Sequence, residues 1–127
     1  MLMATWDGHL NHINGFHVQA KDAEAALESA AGGAVAEGNV GGGTGMTCYE
    51  YKGGIGSASR VITEGGYAHT VGVLVQSNFG RRSQLQVAGI PIGRDWPEDA
   101  PFTKESGPVN ELGSIIVVVA LPLRNVG

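Results

Sequence analysis

A layered α/β fold, with a helix laid against a sheet, is what the hydropathy pattern of this chain predicts. Two observations carry the prediction: one short amphipathic segment with helical periodicity, and strand-type runs that are apolar on both faces. Strands of that second kind suit a buried sheet covered by helices better than a half-solvated hairpin.

The helix comes first in the chain, at Lys21–Ala31 (KDAEAALESAA). Ala23, Ala26, Leu27 and Ala30 recur at i, i+3, i+4 and i+7, Asp22 and Glu24 lie near the start, and Gly32-Gly33 stop the run. Asp22 is the candidate N-cap. The thin, alanine-rich face permits close approach, so the helix is expected to lie on a sheet as a packing element. Three β-type runs follow, Thr70–Gln76 (TVGVLVQ), Gln84–Ile92 (QLQVAGIPI) and Ser114–Ala120 (SIIVVVA), each rich in Val or Ile and bounded by Gly, Asn or Pro. A fourth candidate run is Met46–Tyr51. Asn78-Phe79-Gly80-Arg81-Arg82 lies between the first two runs like a hairpin connection, with Arg81-Arg82 as a solvated turn. From Pro91 to Leu112 the composition shifts to four of the five prolines and five of the twelve acids, which reads as a long exposed loop of the kind that is usually functional.

Composition narrows the function. The chain has 127 residues and 13.1 kDa, 43% of them hydrophobic, so it reads as one modest domain with enough apolar content for a core. Eight basic residues against twelve acidic ones, a net charge of −4, argue against a nucleic-acid partner. The single cysteine, Cys48, excludes an internal disulfide, and it reads as a small buried hydrophobe because no basic neighbour in sequence would lower its pKa. No basic segment precedes an apolar run at the N-terminus, and the longest apolar stretch, Ile115–Leu123, is far shorter than the ~20 residues of a membrane helix. The expectation is a soluble chain without a membrane partner, its compartment open with the cytoplasm favoured.

Glycine is the compositional anomaly: 21 residues, 12 of them between Gly32 and Gly66. Successive amides in GNVGGGTG (Gly38–Gly45) suggest an anion nest, but the spacing fails both phosphate motifs. Thr44 follows Gly43 where a P-loop needs Lys, and Ser59 stands where the third glycine of a dinucleotide fingerprint belongs. His9, His12 and His17 cluster near Asp7, but spacings of three and five match no helix face, so surface or hydrogen-bonding histidines are the simpler reading and no metal site is assigned.

The Gly113-Ser114 junction is of a different kind. There an exposed loop meets a buried strand at one peptide bond, so a serine is held on a rigid element while the preceding chain is free to leave. Attack of Ser114 Oγ on the Gly113 carbonyl, followed by ester hydrolysis, would leave Ser114 as a new N-terminus. Its α-amine, with a pKa near ~8, would serve as general base for its own hydroxyl.

Four blocks of residues carry a family resemblance: TWDGHLNHINGFHV (Thr5–Val18), AEGNVGGGTGMTCYEYKGGIGSASRV (Ala36–Val61), HTVGVLVQSNFGRRSQLQVAGIPIGR (His69–Arg94) and GSIIVVVA (Gly113–Ala120). In this order they resemble the self-processing L-aminopeptidase/D-esterase and β-peptidyl aminopeptidase family, and GNVGGGTGM followed by KGGIGSASR is the specific combination. The resemblance implies an αββα sandwich of the N-terminal-nucleophile-like type, incomplete in this chain. It implies a precursor cut at Gly113-Ser114, with residues 1–113 ending the large subunit region and residues 114–127 beginning the small one. It also implies a cofactor-free serine aminopeptidase that releases N-terminal residues from peptides, amides or esters and forms homo-oligomers. Ser114 falls on the nucleophile and Asn78 on an oxyanion-stabilising asparagine. Trp6, Gly41, Gly42 and Gly43 fall on the substrate-binding region, the glycines as bare backbone near the site.

The chain also departs from the pattern. Asp7-Gly8-His9-Leu10-Asn11-His12-Ile13 stands where relatives read DGYLNDI or DGWLNDI, which puts His9 at an aromatic position whose tyrosine donates to the oxyanion. An imidazole N–H also donates, with a shorter reach. Ala4 replaces an acidic residue suited to gripping the substrate amine, and ALPL (Ala120–Leu123) replaces ATDAPL after the nucleophile strand. Full-length relatives are several times longer and carry a Ser/Glu pair beyond the point where this sequence stops. The second expectation is therefore a truncated, catalytically inactive chain that acts as an oligomerising or binding domain.

Overall fold

The computed structural model of the chain describes residues 5–96 and 113–121. The stretch Pro97–Leu112 of the expected loop, Ala4, and Pro122–Gly127 lie outside the described residues.

Helix α1 spans Ala20–Glu28. Its N-cap is Gln19 rather than Asp22. Asp22 occupies the third helical position and closes a capping box, its Oδ2 accepting the Gln19 N–H at 2.7 Å while the Gln19 side chain accepts the Asp22 N–H. The helix does not lie on the sheet: Ala23, Ala26, Leu27 and Ala30 are all exposed, Leu27 by 79%. Periodicity and end signals made the helix legible, because both are local. What covers its apolar stripe is not a local property.

The centre of the molecule is an antiparallel three-stranded sheet. Two short strands precede it, β1 (Thr47–Cys48) and β2 (Tyr51–Lys52), which pair antiparallel through the turn Tyr49-Glu50 and replace the expected single run Met46–Tyr51. Then come β3 (Gly54–Glu64), β4 (Tyr67–Asn78) and β5 (Ser114–Ala120), in the order β3-β4-β5. β3 was not singled out as a strand: its first half, GIGSAS, is mostly Gly, Ser and Ala, and beyond Ile55 its β-branched residues, Val61, Ile62 and Thr63, lie at its end. Pairing with β4 extends it, in a register from Glu64↔Tyr67 at the turn to Gly54↔Ser77. Gly65 and Gly66 close this hairpin with φ of 58° and 81°, the two left-handed residues a type I′ turn demands.

Three further expectations are corrected by this topology. Asn78–Arg82 is not a hairpin connection, because the hairpin partner of β4 is β3 and the chain leaves the sheet after Asn78. Gln84–Ile92 is not a strand. A 3-10 turn (Arg82–Gln84) opens the segment, Val87 and Ile90 exchange both backbone hydrogen bonds at 3.0 Å across left-handed Ala88-Gly89, and helix α2 (Ile92–Asp95) follows. Two left-handed residues reverse the chain in the middle of an apolar run. Arg82 is not solvated but 4% exposed, its guanidinium 4.4 Å above the Tyr51 ring and donating to the Tyr51 hydroxyl, whereas Arg81 is exposed.

β4 is half-buried from Val71 to Asn78. β5 is not buried on both faces: Ile115, Val117, Val118 and Val119 are 46–55% exposed, and only Ser114 and Ile116 are half-covered. The fully buried large side chain among the described residues is Met46, 2% exposed, under the glycine-rich turn. Cys48 is half-buried.

Candidate active site

The register of the sheet makes the site. Asn78, the last residue of β4, is the Cα partner of Ser114, the first residue of β5, so a chain that leaves the sheet at one returns beside it at the other 36 positions later. Directly opposed residues share a face of the sheet. Asn78 Nδ2 donates to Ser114 Oγ at 2.9 Å.

Two further contacts fix the Asn78 amide. Oδ1 accepts the Thr47 N–H at 3.0 Å, and Nδ2 also donates to the Trp6 carbonyl at 2.6 Å. A backbone N–H only donates and a carbonyl only accepts, so the neighbours assign both ends of the amide independently. Both N–H bonds are thereby used, one on Trp6 and one aimed at the serine hydroxyl. Asn78 thus joins three segments distant in sequence, at positions 6, 47 and 114.

Gly113 lies just outside β5 and is exposed, while Ser114 is half-buried. A Cβ at position 113 would stand 2.6 Å from Phe79 Cβ and 3.2 Å from Phe79 Cα, so the residue before the serine has no room for a side chain. Phe79 is itself clamped. Its carbonyl accepts the Tyr49 N–H at 2.8 Å, and the two rings meet edge to face at 5.4 Å. Tyr49 and Glu50 hold φ of 52° and 65°, a strained pair of left-handed residues where Asn-Gly would be usual.

The glycine-rich segment forms a 3-10 turn, Gly41–Gly45, with Gly43 and Gly45 buried. A side chain on Gly42 would run into Gln76 Oε1, and one on Gly45 would sit 2.5 Å from Asp7 Cβ. Gln76 precedes Asn78 by two residues on the same face, and its Nε2 donates to Thr5 Oγ1 at 2.7 Å and to Met46 Sδ at 3.8 Å. Gly42 therefore meets β4 at Gln76 as bare backbone, Gly43 lies against Gly38 and the Gly54-Ile55 start of β3, and the space beside Gly41 is open. Glu37 ties the preceding segment to β3: its carboxylate accepts both the N–H and the hydroxyl of Ser57, which hold its pKa below the ordinary glutamate value, hydroxyl first.

Trp6 is 50% exposed and carries His9 edge-on, the ring centroids 4.6 Å apart at 86°. His9 thus adjoins the site through the residue whose carbonyl holds Asn78. His12 and His17 meet each other at 5.9 Å instead, and Asp7 Oδ2 accepts from Asn11 Nδ2 at 2.9 Å. Among the described residues no group of three or more His, Cys, Asp or Glu is placed to hold a metal ion.

Thr47, Lys52 and Gln76 were not singled out by the sequence. Thr47 acts through its backbone amide, which no side-chain pattern marks. Lys52 acts on backbone carbonyls of the glycine turn and its flanks, and Gln76 on the Thr5 and Met46 side chains, partners brought to them by the β1–β2 turn and by the sheet.

Comparisons with known proteins identify relatives of this chain. The Peptidase family S58 profile matches residues 1–124. The β-peptidyl aminopeptidase BapA of Sphingosinicella microcystinivorans is 51% identical over 125 residues, covering 91% of this chain and 32% of that protein. Among solved structures, the L-aminopeptidase D-Ala-esterase/amidase of Ochrobactrum anthropi is described as a prototype serine aminopeptidase and a new variant of the Ntn hydrolase fold. It matches with a TM-score of 0.78 and 48% identity over 91% of this chain and 30% of that one. A Burkholderia sp. β-aminopeptidase matches with a TM-score of 0.75 and 48% identity over 92% and 30%. The expected α/β class stands, its structural neighbours being Ntn-hydrolase-fold aminopeptidases, and the chain spans about a third of the length of these relatives. Matched by that family profile over residues 1–124, the chain belongs to Peptidase family S58.

Proposed function

We propose that this chain carries the nucleophile of a serine aminopeptidase that cuts its own backbone at Gly113-Ser114 and then releases N-terminal residues from peptides, amides or esters. The observation that carries the proposal is the 2.9 Å bond from Asn78 Nδ2 to Ser114 Oγ, on an amide held at both ends. In the first step Oγ bonds to the Gly113 carbonyl carbon, the Gly113–Ser114 C–N bond breaks, and the hydroxyl proton passes to the departing nitrogen. That break frees the α-amine of Ser114; water then hydrolyses the ester, releasing the Gly113 carboxylate and the Ser114 hydroxyl, and the amine takes the proton from Oγ in later turnovers. Asn78 Nδ2–H, already directed at Oγ, reaches the adjacent oxyanion as a neutral donor. The glycine turn and Trp6 form the wall that receives substrate, with His9 beside Trp6. The cut divides the chain into 1–113 and 114–127.

Intact mass after purification tests the first step, with fragments 1–113 and 114–127 expected and Ser114→Ala remaining whole. Hydrolysis of an aminoacyl p-nitroanilide tests the second. Turnover that survives Ser114→Ala would sink the mechanism.

A second reading has its own support in the exposed apolar residues of β5, Ile115, Val117, Val118 and Val119. An inactive chain that oligomerises through this strand would run as a homo-oligomer in sedimentation and show no cleavage in either assay.

A further inference from the structure

Lys52 sits outside the catalytic set, with an exposed stem and a fully engaged ammonium. Its Nζ donates to three backbone carbonyls: Gly43 at 2.8 Å, Met46 at 3.0 Å and Gly53 at 2.7 Å. An ammonium has three N–H donors, so each is spent on a carbonyl. Two of these carbonyls belong to the glycine turn and to the residue that ends it, and each also accepts a backbone N–H, Gly43 from Met46 at 3.3 Å and Met46 from Gly53 at 2.7 Å.

The Met46 carbonyl matters most, because it is one end of the Met46–Thr47 peptide. The other end of that planar unit is the Thr47 N–H, which donates to Asn78 Oδ1. Asn78 in turn directs Nδ2 at Ser114 Oγ. The order is therefore Lys52 ammonium, Met46–Thr47 peptide, Asn78 amide, Ser114 hydroxyl, two resonant amides in series between a cation and the serine. Hydrogen bonds in such a chain polarise one another, by roughly 10–30% per bond. A cation on the first carbonyl makes the Thr47 N–H a better donor, and the Asn78 N–H a better donor in its turn. The Gly53 N–H, which also donates to the Met46 carbonyl at 2.7 Å, holds the same peptide plane without supplying charge.

We propose that Lys52 is a positioning residue for the acyl-transfer site, setting the orientation and donor strength of Asn78 through the Met46–Thr47 peptide. This rests on the reading of Ser114 as nucleophile, but its structural half does not.

The test uses the full chain and four forms: parent, Lys52→Met, Asn78→Ala, and the double variant. The Asn78 side-chain amide resonances are read by 1H–15N correlation, and the Gly113-Ser114 cleavage rate by intact mass. Lys52→Met is expected to move the Nδ2 protons upfield and to slow cleavage on the order of 10-fold, less than the ~100-fold that a 1 Å misplacement costs. In the Asn78→Ala background it should have no further effect on rate, because the group through which it acts is gone. Lys52→Arg, which keeps the cation, should recover most of both signals. An unmoved Asn78 amide in Lys52→Met overturns the proposal, and so does a rate loss that persists undiminished beside Asn78→Ala. If the parent does not cleave, the amide resonances still decide the role of Lys52 while the functional reading falls separately. If Lys52→Met loses its folded dispersion, the same resonances are read in Lys52→Gln, where a moved amide supports the relay and an unmoved one overturns it.

Discussion

Replacing Asn78 by aspartate tests the site most sharply, because the change is nearly isosteric and inverts one end of the amide. Oδ1 keeps its acceptor role toward the Thr47 N–H at 3.0 Å. The second oxygen then faces Ser114 Oγ across 2.9 Å and the Trp6 carbonyl across 2.6 Å, where the native group donates to both. Loss of one oxyanion donor costs ~100 to 1000-fold in rate, about 2.7–4 kcal/mol. The carboxylate adds repulsion of the developing oxyanion, on the order of 4 kcal/mol at ~4 Å and an effective dielectric of ~20, less where water reaches this half-buried position. Asn78→Asp should therefore cleave at Gly113-Ser114 more slowly than Asn78→Ala, although alanine loses all three of the hydrogen bonds that join the segments. An intact-mass time course gives both rates, and a melting curve shows whether each variant is folded at the assay temperature. Cleavage by Asn78→Asp within about threefold of the parent would refute the donor role, being far from the ~100-fold expected for a lost donor, and cleavage faster than by Asn78→Ala would refute the repulsion.

Other expectations concern the frame around the site. Glu50→Gly removes a Cβ from a residue held at φ of 65°, relieving ~1–2 kcal/mol of left-handed strain against ~0.5–1 kcal/mol of extra chain entropy, so the melting temperature should rise modestly. A fall would show that the Glu50 side chain makes a stabilising contact. The Glu37 carboxylate, held below its ordinary pKa by the Ser57 hydroxyl and amide, contributes stability that is fully present above the unfolded-state value and is lost as pH falls through the lowered folded-state value. The Ser57 amide resonance should shift over that acidic range and stay flat above it. In Ser57→Ala the hydroxyl contact is absent, so the midpoint of the Glu37 titration should move upward, and an unmoved midpoint would remove the hydroxyl as its main cause.

The layered fold was only half legible because the sequence reports what a strand offers and not what covers it. β5 was expected to be buried on both faces, yet its valines stand 46–55% exposed in a chain that spans about a third of its relatives. β3 escaped notice because its first half is glycine- and serine-rich, so its strand signal is confined to Ile55 and the Val61-Ile62-Thr63 end, while pairing with β4 runs its whole length. The Gly65-Gly66 turn that joins β3 to β4 was likewise not singled out, although few residues other than glycine accept its left-handed φ values.

The sequence by itself placed Asn78 in a connection rather than on the strand, but it determined a helix beginning near Lys21, the strand runs Thr70–Gln76 and Ser114–Ala120, and the family. It did so because periodicity, end signals and ordered motif blocks are properties of residues near one another in the chain. Only the tertiary structure decided that Asn78 faces Ser114, that Trp6 and Thr47 lock its amide, and that Lys52 grips the peptide behind it. Those contacts join groups 6 to 72 positions apart, and all but the Asn78–Ser114 pair use a backbone group. Every residue carries the same N–H and C=O, so no residue type marks which of them will be used. Sheet register and the β1–β2 turn choose them.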